Sequence, residues 1–217
     1  MTVLAFRSEM NWVDAIEPVR RHLATGNLLA YPTETVYGVG SRPYADDAVA
    51  LAALKQRRDG KPFLLLVDGC AMAEEWGLEF TPAAHTLSDA FWPGPLTLVL
   101  RCEEGSLLAG CRGAEGGVAV RWTAHKGVET LVRGLEYPLT STSANRRGGT
   151  PASGVDSLIS TFGTAIEDGT LLVLDGGILG DTPPSTIVDC MKDPPRVIRA
   201  GAIPVDELRA DVGSLTS

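Results

Sequence analysis

Residues Tyr31–Val39 place hydroxyl and carboxylate side chains directly after an apolar run, where they could bind a ligand. Leu28–Ala30 is typical of a short buried strand, and Pro32 ends it because proline has no N–H for a neighbouring strand. Two threonines and a glutamate follow at 33–35, among aromatic and β-branched residues. A loop that only reversed the chain would be richer in Gly, Asn and Asp. The segment therefore predicts a shaped binding edge.

A cluster of four cations, Lys55, Arg57, Arg58 and Lys61, follows an Ala- and Leu-rich helical segment. Cations near the C-terminal end of a helix interact favourably with the helix dipole, so one interpretation is a basic helix end that is exposed to solvent. The Asp-Gly turn signal inside the cluster would fold Lys61 back beside Arg57. Four such cations repel one another unless an anion neutralises them, and a polyphosphate fits that requirement. Both interpretations remain open at this point.

Polar residues also lie in or beside four later strand-like runs. Ser141, Ser143 and Asn145 follow one of them, where they suit either a capped turn or a site that binds phosphate, ribose or an amine. Arg121 ends an apolar strand, which requires an anionic partner. That partner is either an Asp or Glu of the protein or a substrate carboxylate bound by both guanidinium nitrogens. Ser185 and Arg199 are weaker candidates of the same kind.

Several catalytic signatures are missing from the sequence. It contains no G-x-x-x-x-G-K-[ST] phosphate loop, no G-x-G-x-x-G fingerprint, no H-E-x-x-H and no G-x-S-x-G elbow. Hydrolase and zinc chemistry are therefore disfavoured. A site of hydroxyls and cations suits a reaction in which the substrate supplies the nucleophile and the enzyme supplies position and charge.

Composition narrows the class of protein further. The 217 residues are 44% hydrophobic and carry a net charge of −8, which argues against a broad nucleic-acid footprint. No apolar run approaches the roughly 20 residues of a membrane helix, and the N-terminus lacks a secretory pattern. The four cysteines, at 70, 102, 111 and 190, form no C-x-x-C pair. We expect reduced thiols, a cytoplasmic location and no membrane association.

Strand and helix patterns alternate along the chain and predict an α/β fold with at least partly parallel pairing. The predicted helices are at 12–24, 46–57, 71–76, 82–91, 126–133 and 156–162. The predicted strands are at 3–6, 28–30, 63–67, 96–100, 118–122, 139–142, 171–174, 186–188 and 197–199. We expect one domain over 1–217, with a core at about 12–201 and a C-terminal tail at 202–217.

Seven short motifs occur in order over residues 28–201: Tyr31–Gly38, Lys55–Arg57 with Lys61-Pro62, Trp92–Thr97, Val118–Arg121, Ser141–Asn145, Ser185–Ile187 and Arg199–Gly201. Together they resemble the YrdC/Sua5 family of threonylcarbamoyl-AMP synthases, in its short, single-domain form. The resemblance implies a twisted, largely parallel or mixed sheet with surrounding helices and a deep concave cleft.

The resemblance also implies the chemistry. Its substrates would be ATP, L-threonine and bicarbonate, with Mg2+, and a threonylcarbamoyl transferase complex would pass the product to tRNA. The catalytic signature falls on Lys55, Arg57, Ser143 and Asn145. The implied ATP contacts are Arg57, Lys61, Ser143 and Arg199, and the implied threonine contacts are Thr35, Arg121, Ser141 and Ser185. The metal ligands are unknown, with Glu34 and Asp189 as the only guesses.

Two alternatives stay open. One is a module of this fold that binds tRNA or double-stranded RNA weakly, without chemistry. The other is a carbamoyl-adenylating enzyme with a different acceptor, of the hydrogenase-maturation type. The chain departs from some family members at Leu66, where they carry a histidine near threonine, so threonine recognition would differ in detail.

Overall fold

The structure is a computed structural model that describes residues 3–56, 62–102, 108–180 and 182–216. Its strands are β1 Val3–Ala5, β2 Leu28–Tyr31, β3 Gly38–Gly40, β4 Leu64–Leu66, β5 Leu78–Glu79, β6 Leu96–Cys102, β7 Gly117–Arg121, β8 Leu139–Ser143, β9 Leu171–Asp175, β10 Thr186–Asp189 and β11 Arg196–Arg199. Its helices are α1 Glu9–Ala24, α2 Ala45–Leu54, α3 Cys70–Glu75, α4 Pro82–Phe91, α5 Lys126–Leu135, α6 Val155–Glu167 and α7 Val205–Val212. A short 3-10 helix covers Ala109–Cys111.

All the described strands belong to one sheet, in the order β1-β9-β2-β3-β8-β4-β7-β6-β10-β11, with β5 added beside β6. The parallel pairs are β1–β9, β2–β9, β4–β7 and β6–β10, and the remaining pairs are antiparallel. The predicted α/β class is confirmed. Of the two expected kinds of sheet, largely parallel or mixed, the observed sheet is mixed.

Two layers of side chains follow from alternation along the strands. On β2, Leu29 and Tyr31 pack in a cluster with residues of α1 and α5. Leu28 and Ala30 pack on the opposite face, in the larger cluster that includes residues of α2, α4 and α6. The helices α1 and α5 also contact each other, so together they cover one face of the β1-to-β8 half of the sheet. On the same face, the strands beyond β8 line a cavity.

Several local features, among them the start of α1 and the strand β3, differ from the sequence prediction. The first helix begins at Glu9, where the Ser8 side chain accepts from the Asn11 N–H, and it continues through Pro18. The prediction missed β3 because its sequence, Gly-Val-Gly, has little strand propensity. Its glycines are needed for close packing, since a Cβ on Gly40 would lie 1.8 Å from the Thr140 carbonyl oxygen.

The C-terminal segment packs on the rest of the fold. Helix α7 contacts α4, and Leu208 and Leu215 are buried in the larger cluster. The division into a core and a tail stays a prediction. All four cysteines are free, and three of them are buried. Within the described ranges, no helix combines the length and the apolar character needed to cross a membrane.

Candidate functional site

A cavity of about 670 Å³ opens on one face of the sheet. The neighbouring strands β8, β4, β7, β6 and β10 line it, mainly with alternate side chains because successive side chains point to opposite faces. The paired lining residues are Ser141 and Ser143, Leu64 and Leu66, Ala119 and Arg121, Thr97 and Val99, and Ser185 and Ile187, with Thr142 also at the wall. The cavity is therefore built from the sheet itself and has a rigid base.

The lining divides into an apolar and a polar part. Val99 and Ala119 are paired across β6 and β7, and together with Leu64 and Pro62 they present apolar surface. The rest of the lining includes serine and threonine hydroxyls and two guanidinium groups. Such a cavity suits a ligand that has an apolar part joined to groups rich in oxygen or nitrogen.

The segment predicted to form a binding edge closes on itself around Thr33. The Thr33 hydroxyl donates to the Val36 carbonyl oxygen at 2.7 Å, and it accepts from the N–H groups of Thr35 and Val36 at 3.2 Å each. Thr33 and Thr35 are both buried, and their hydroxyl oxygens lie 3.0 Å apart at the cavity wall. The turn thus fixes Thr35 at the cavity wall, and its contact with a small ligand stays a prediction.

Arg121 is buried and makes three hydrogen bonds to other described residues. Its Nη2 donates to Glu34 Oε1 at 2.5 Å, its Nε to the Gly94 carbonyl oxygen at 3.0 Å, and its Nη1 to Thr35 Oγ1 at 3.4 Å. Of the two anionic partners considered from the sequence, the structure provides the protein carboxylate. A contact between Arg121 and a substrate carboxylate stays a prediction.

Glu34 is held by the segment that follows β7. The Thr123 hydroxyl donates to Oε2, and the Ala124 N–H donates to Oε1 at 3.0 Å. Burial alone would raise the pKa of Glu34, but the Arg121 charge and these hydrogen bonds outweigh burial and hold the pKa below its usual value. Glu34 is therefore ionised at neutral pH, and it cancels the charge of Arg121.

Arg199 occupies a different environment on the same cavity. Its Nε and Nη2 donate to the Ser185 carbonyl oxygen at 3.2 and 2.7 Å, and Nη2 also reaches Ser185 Oγ at 3.3 Å. Ser185 Oγ in turn lies 2.8 Å from Thr97 Oγ1. Burial and the charge of Arg121 lower the pKa of Arg199. These bonds within the described residues go to neutral oxygens, so an anion would be favoured beside Arg199.

The close approach of Arg199 to Ser185 depends on Gly201, which lies two residues after Arg199 in the chain. A Cβ on Gly201 would lie 2.2 Å from the Pro184 carbonyl oxygen, which real side chains do not tolerate. Packing therefore requires the glycine of the Arg-Ala-Gly motif. It lets β11 and the segment before β10 come together at the cavity.

Lys55, Ser143 and Asn145 form one hydrogen-bonded group. The buried Lys55 Nζ donates to the Ser143 carbonyl oxygen at 2.5 Å and to Asn145 Oδ1 at 2.6 Å. The Ser143 hydroxyl also donates to Asn145 Oδ1, at 2.7 Å. Lys55 of the predicted catalytic signature therefore meets Ser143 and Asn145, and among these three described members Ser143 lines the cavity.

The described side chains do not fit a magnesium ion held by the protein. No group of three acidic, histidine or cysteine residues suited to a metal occurs in the described part of the chain. Both guessed ligands are already engaged, since Glu34 binds Arg121 and Asp189 accepts from the Met191 N–H at 3.0 Å. Magnesium is more often bound through substrate phosphates and water than through a dedicated set of protein ligands.

Comparison with known proteins decides the family. The family model Sua5_yciO_yrdC, described as "Telomere recombination", matches residues 21–201. The chain belongs to the Sua5/YciO/YrdC family. A threonylcarbamoyl-AMP synthase from Chromohalobacter salexigens is 38% identical over 179 residues, covering 81% of this chain and 90% of the relative.

Relatives from Pyrococcus abyssi are longer than this chain. A threonylcarbamoyl-AMP synthase from that organism is 32% identical over 191 residues, covering 88% of this chain and 55% of the relative. The crystal structure of P. abyssi Sua5 complexed with L-threonine matches with a TM-score of 0.87 and 27% identity, covering 100% of this chain and 62% of that one. The chain thus spans a little over half the length of its P. abyssi relatives.

The structure brings together most of the site residues expected from the family resemblance. Six of them line the cavity: Thr35, Arg121, Ser141, Ser143, Ser185 and Arg199. Lys55 and Asn145 contact Ser143. The predicted residues Arg57 and Lys61 lie outside the described residues. The individual roles of all these residues stay predictions.

The sequence prediction gave no role to several residues of this Sua5/YciO/YrdC cavity. Thr33 and Thr97 contribute buried hydroxyls, and Val99, Ala119 and Ile187 contribute apolar surface. The available signal was the two-residue period of the strands. Once Arg121 is placed on the cavity face, alternation puts Ala119 on the same face.

Proposed function

We propose that this chain is an L-threonylcarbamoyladenylate synthase, which makes the activated intermediate for the N6-threonylcarbamoyladenosine modification of tRNA. The observation that carries the proposal is the cavity. It collects residues assigned separately to ATP and to threonine, and the contact between Arg199 and Ser185 joins the two groups. The threonylcarbamoyl-AMP synthases among its relatives support the same reaction.

The reaction needs no nucleophile from the protein. The threonine amine attacks carbon dioxide derived from bicarbonate and loses a proton, which gives a carbamate. A carbamate oxygen then forms a bond to the α-phosphorus of ATP, and the bond from that phosphorus to the bridging oxygen breaks. The products are threonylcarbamoyl-AMP and pyrophosphate. This explains why a cavity of hydroxyls and cations suffices, since its contribution is position and charge.

The roles of the residues follow from their charge and place. Arg57, Lys61 and Arg199 would neutralise the triphosphate and the charge that develops on pyrophosphate. Ser143 would orient the phosphates, with Lys55 and Asn145 holding its backbone and hydroxyl. Thr35, Ser141, Ser185 and Arg121 would surround threonine. A cavity shaped around the methyl and hydroxyl groups of threonine would set selectivity.

The labile product would pass to a separate threonylcarbamoyl transferase complex. We expect this to take place in the cytoplasm, where the free thiols of the chain would stay reduced.

The proposal is tested by pyrophosphate release from ATP in the presence of bicarbonate. Release should depend on L-threonine far more than on L-serine or L-valine. Arg57→Ala should lower turnover by about 10²–10³-fold, as expected for one lost charge-assisted contact in the transition state. Arg21→Ala is the matched control, because Arg21 is an exposed residue of α1. Equal release with all three amino acids would contradict threonine as the acceptor, and wild-type turnover of Arg57→Ala would contradict its role.

A further inference from the structure

For some hydroxyl groups of the cavity, the neighbouring groups fix whether the hydroxyl donates or accepts a hydrogen bond. A carbonyl oxygen can only accept, so the single hydroxyl proton of Thr33 is committed to the Val36 carbonyl oxygen at 2.7 Å. Thr33 therefore has no proton left for its 3.0 Å contact with Thr35, and a hydrogen bond between the two hydroxyls is donated by Thr35 to an oxygen that also accepts from two N–H groups. The proton of Thr35 then points away from the cavity, towards Thr33.

Thr35 consequently offers the cavity an acceptor oxygen. Its Oγ1 receives one hydrogen bond from Arg121 Nη1 at 3.4 Å, and arginine has no acceptor atom. One lone pair of Thr35 Oγ1 is left for a ligand. A ligand group at this place must donate, as an amine or a hydroxyl does.

The opposite polarity arises at Thr97 and Ser185. Arg199 donates to Ser185 Oγ at 3.3 Å, and the two hydroxyl oxygens lie 2.8 Å apart. Two hydroxyl groups that share one hydrogen bond use one of their two protons. The second proton has no acceptor among the described residues, and both side chains line the cavity. The pair therefore offers one O–H donor, next to the positive charge of Arg199.

We infer that Thr97 is a specificity-determining residue that, together with Ser185 and Arg199, donates a hydrogen bond to an anionic ligand oxygen, while Thr35 accepts one from a ligand amine or hydroxyl. The cavity thus orients the ligand, because it donates a hydrogen bond at one end and accepts a hydrogen bond at the other. The inference rests on the proposed function for the identity of the ligand. The anionic oxygen belongs either to the carboxylate of L-threonine or to a phosphate of ATP.

Calorimetric titration with L-threonine alone and with ATP alone tests this assignment. Thr97→Val keeps the shape of the side chain but removes the hydroxyl, and it should weaken the binding of one of the two ligands by about tenfold. Thr97→Ser should restore that affinity to within about threefold. The ligand that loses affinity identifies the source of the oxygen. Thr35→Val should weaken L-threonine binding by a similar factor, and Thr35→Ser should restore it.

Thr161→Val is the matched control, since the Thr161 hydroxyl donates to the Ser157 carbonyl oxygen within α6. It should leave both affinities unchanged. If the wild-type chain binds a ligand and Thr97→Val binds both ligands equally well, the inference is wrong and the proposed function stands. If the wild-type chain binds neither ligand, both are wrong. Weaker binding by Thr97→Ser as well as Thr97→Val would indicate a packing role and would also overturn the inference.

Discussion

Arg121 and Arg199 line the same cavity, but they are neutralised in different ways. Arg121 is buried against the carboxylate of Glu34, at 2.5 Å. Arg199 is exposed, and its hydrogen bonds to the described residues reach the carbonyl and hydroxyl oxygens of Ser185. The first guanidinium belongs to an ion pair whose net charge is zero. The second keeps its charge facing the cavity.

This difference shows that counting cations does not give the charge of a cavity. A buried ion pair adds little net stability, because desolvation offsets the attraction between the charges. Its value at this site is geometric, since Glu34 fixes Arg121, and Arg121 in turn contacts Thr35 and Gly94. Arg199 contributes electrostatic attraction for an anion instead. Substitutions of the two arginines should therefore affect different measurable properties.

Arg121→Met should give the largest change, in the stability of the fold. The substitution leaves Glu34 ionised and partly buried without its counter-charge. We expect a loss of about 3 kcal/mol, at the low end for a broken buried pair, because Thr123 and Ala124 still donate to the carboxylate. Urea unfolding measures the free energy of unfolding.

The double variant Arg121→Met with Glu34→Gln provides the control for that expectation. Removing both charges should recover most of the lost stability and none of the activity. A free energy of unfolding as low as that of the single variant would show that lost packing, rather than the stranded carboxylate, causes the effect.

Arg199→Met should have the second largest effect, on ligand binding rather than on stability. The lost contact is a hydrogen bond from a charged donor, worth roughly 1.5–3 kcal/mol. The KM of ATP or of L-threonine should therefore rise by about 10- to 100-fold in the pyrophosphate-release assay. The urea midpoint should move little, because no buried carboxylate loses its partner. A stability loss as large as that of Arg121→Met would remove the contrast between the two arginines.

The partner of Arg121 illustrates what the sequence leaves undetermined. The sequence required an anion at this strand end, but it could not choose between a protein carboxylate and a substrate. Glu34 lies 87 positions away in the chain. In the sheet, β3, β8 and β4 lie between β2, which precedes Glu34, and β7, which ends in Arg121, and no local pattern of the sequence encodes that order.

The alternating residues that line the cavity could be predicted from the sequence. A two-residue period on strands whose positions were predicted nearly correctly places Ser141 with Ser143 and Ala119 with Arg121 on one face. The short strand β3 could not be predicted from the sequence, for a different reason. Gly38–Gly40 is a strand because its two glycines permit close contact with β8, which is a tertiary cause.

The smallest expected effect concerns His125, which follows the segment that holds Glu34. His125 Nδ1 accepts the Val128 N–H at 3.3 Å and so caps α5, and its ring stacks on Phe6. Burial lowers the pKa of His125, although the charge of Glu34 opposes this effect. The unfolded chain therefore binds a proton at higher pH than the folded chain does. Stability should fall as the pH decreases through about 6.5, because protonation removes the acceptor at Nδ1.

His125→Asn isolates this contribution, since asparagine is a good helix cap that does not titrate. Between pH 7.5 and 5.5, the Tm of the wild-type chain should fall by about 2–4 °C more than the Tm of the variant, which corresponds to roughly 1 kcal/mol for a chain of this size. Curves of Tm against pH that run parallel for the two chains would show that the pKa of His125 is the same in the folded and the unfolded chain. The anchoring of Glu34, and with it the position of Arg121, would then not be coupled to the titration of His125.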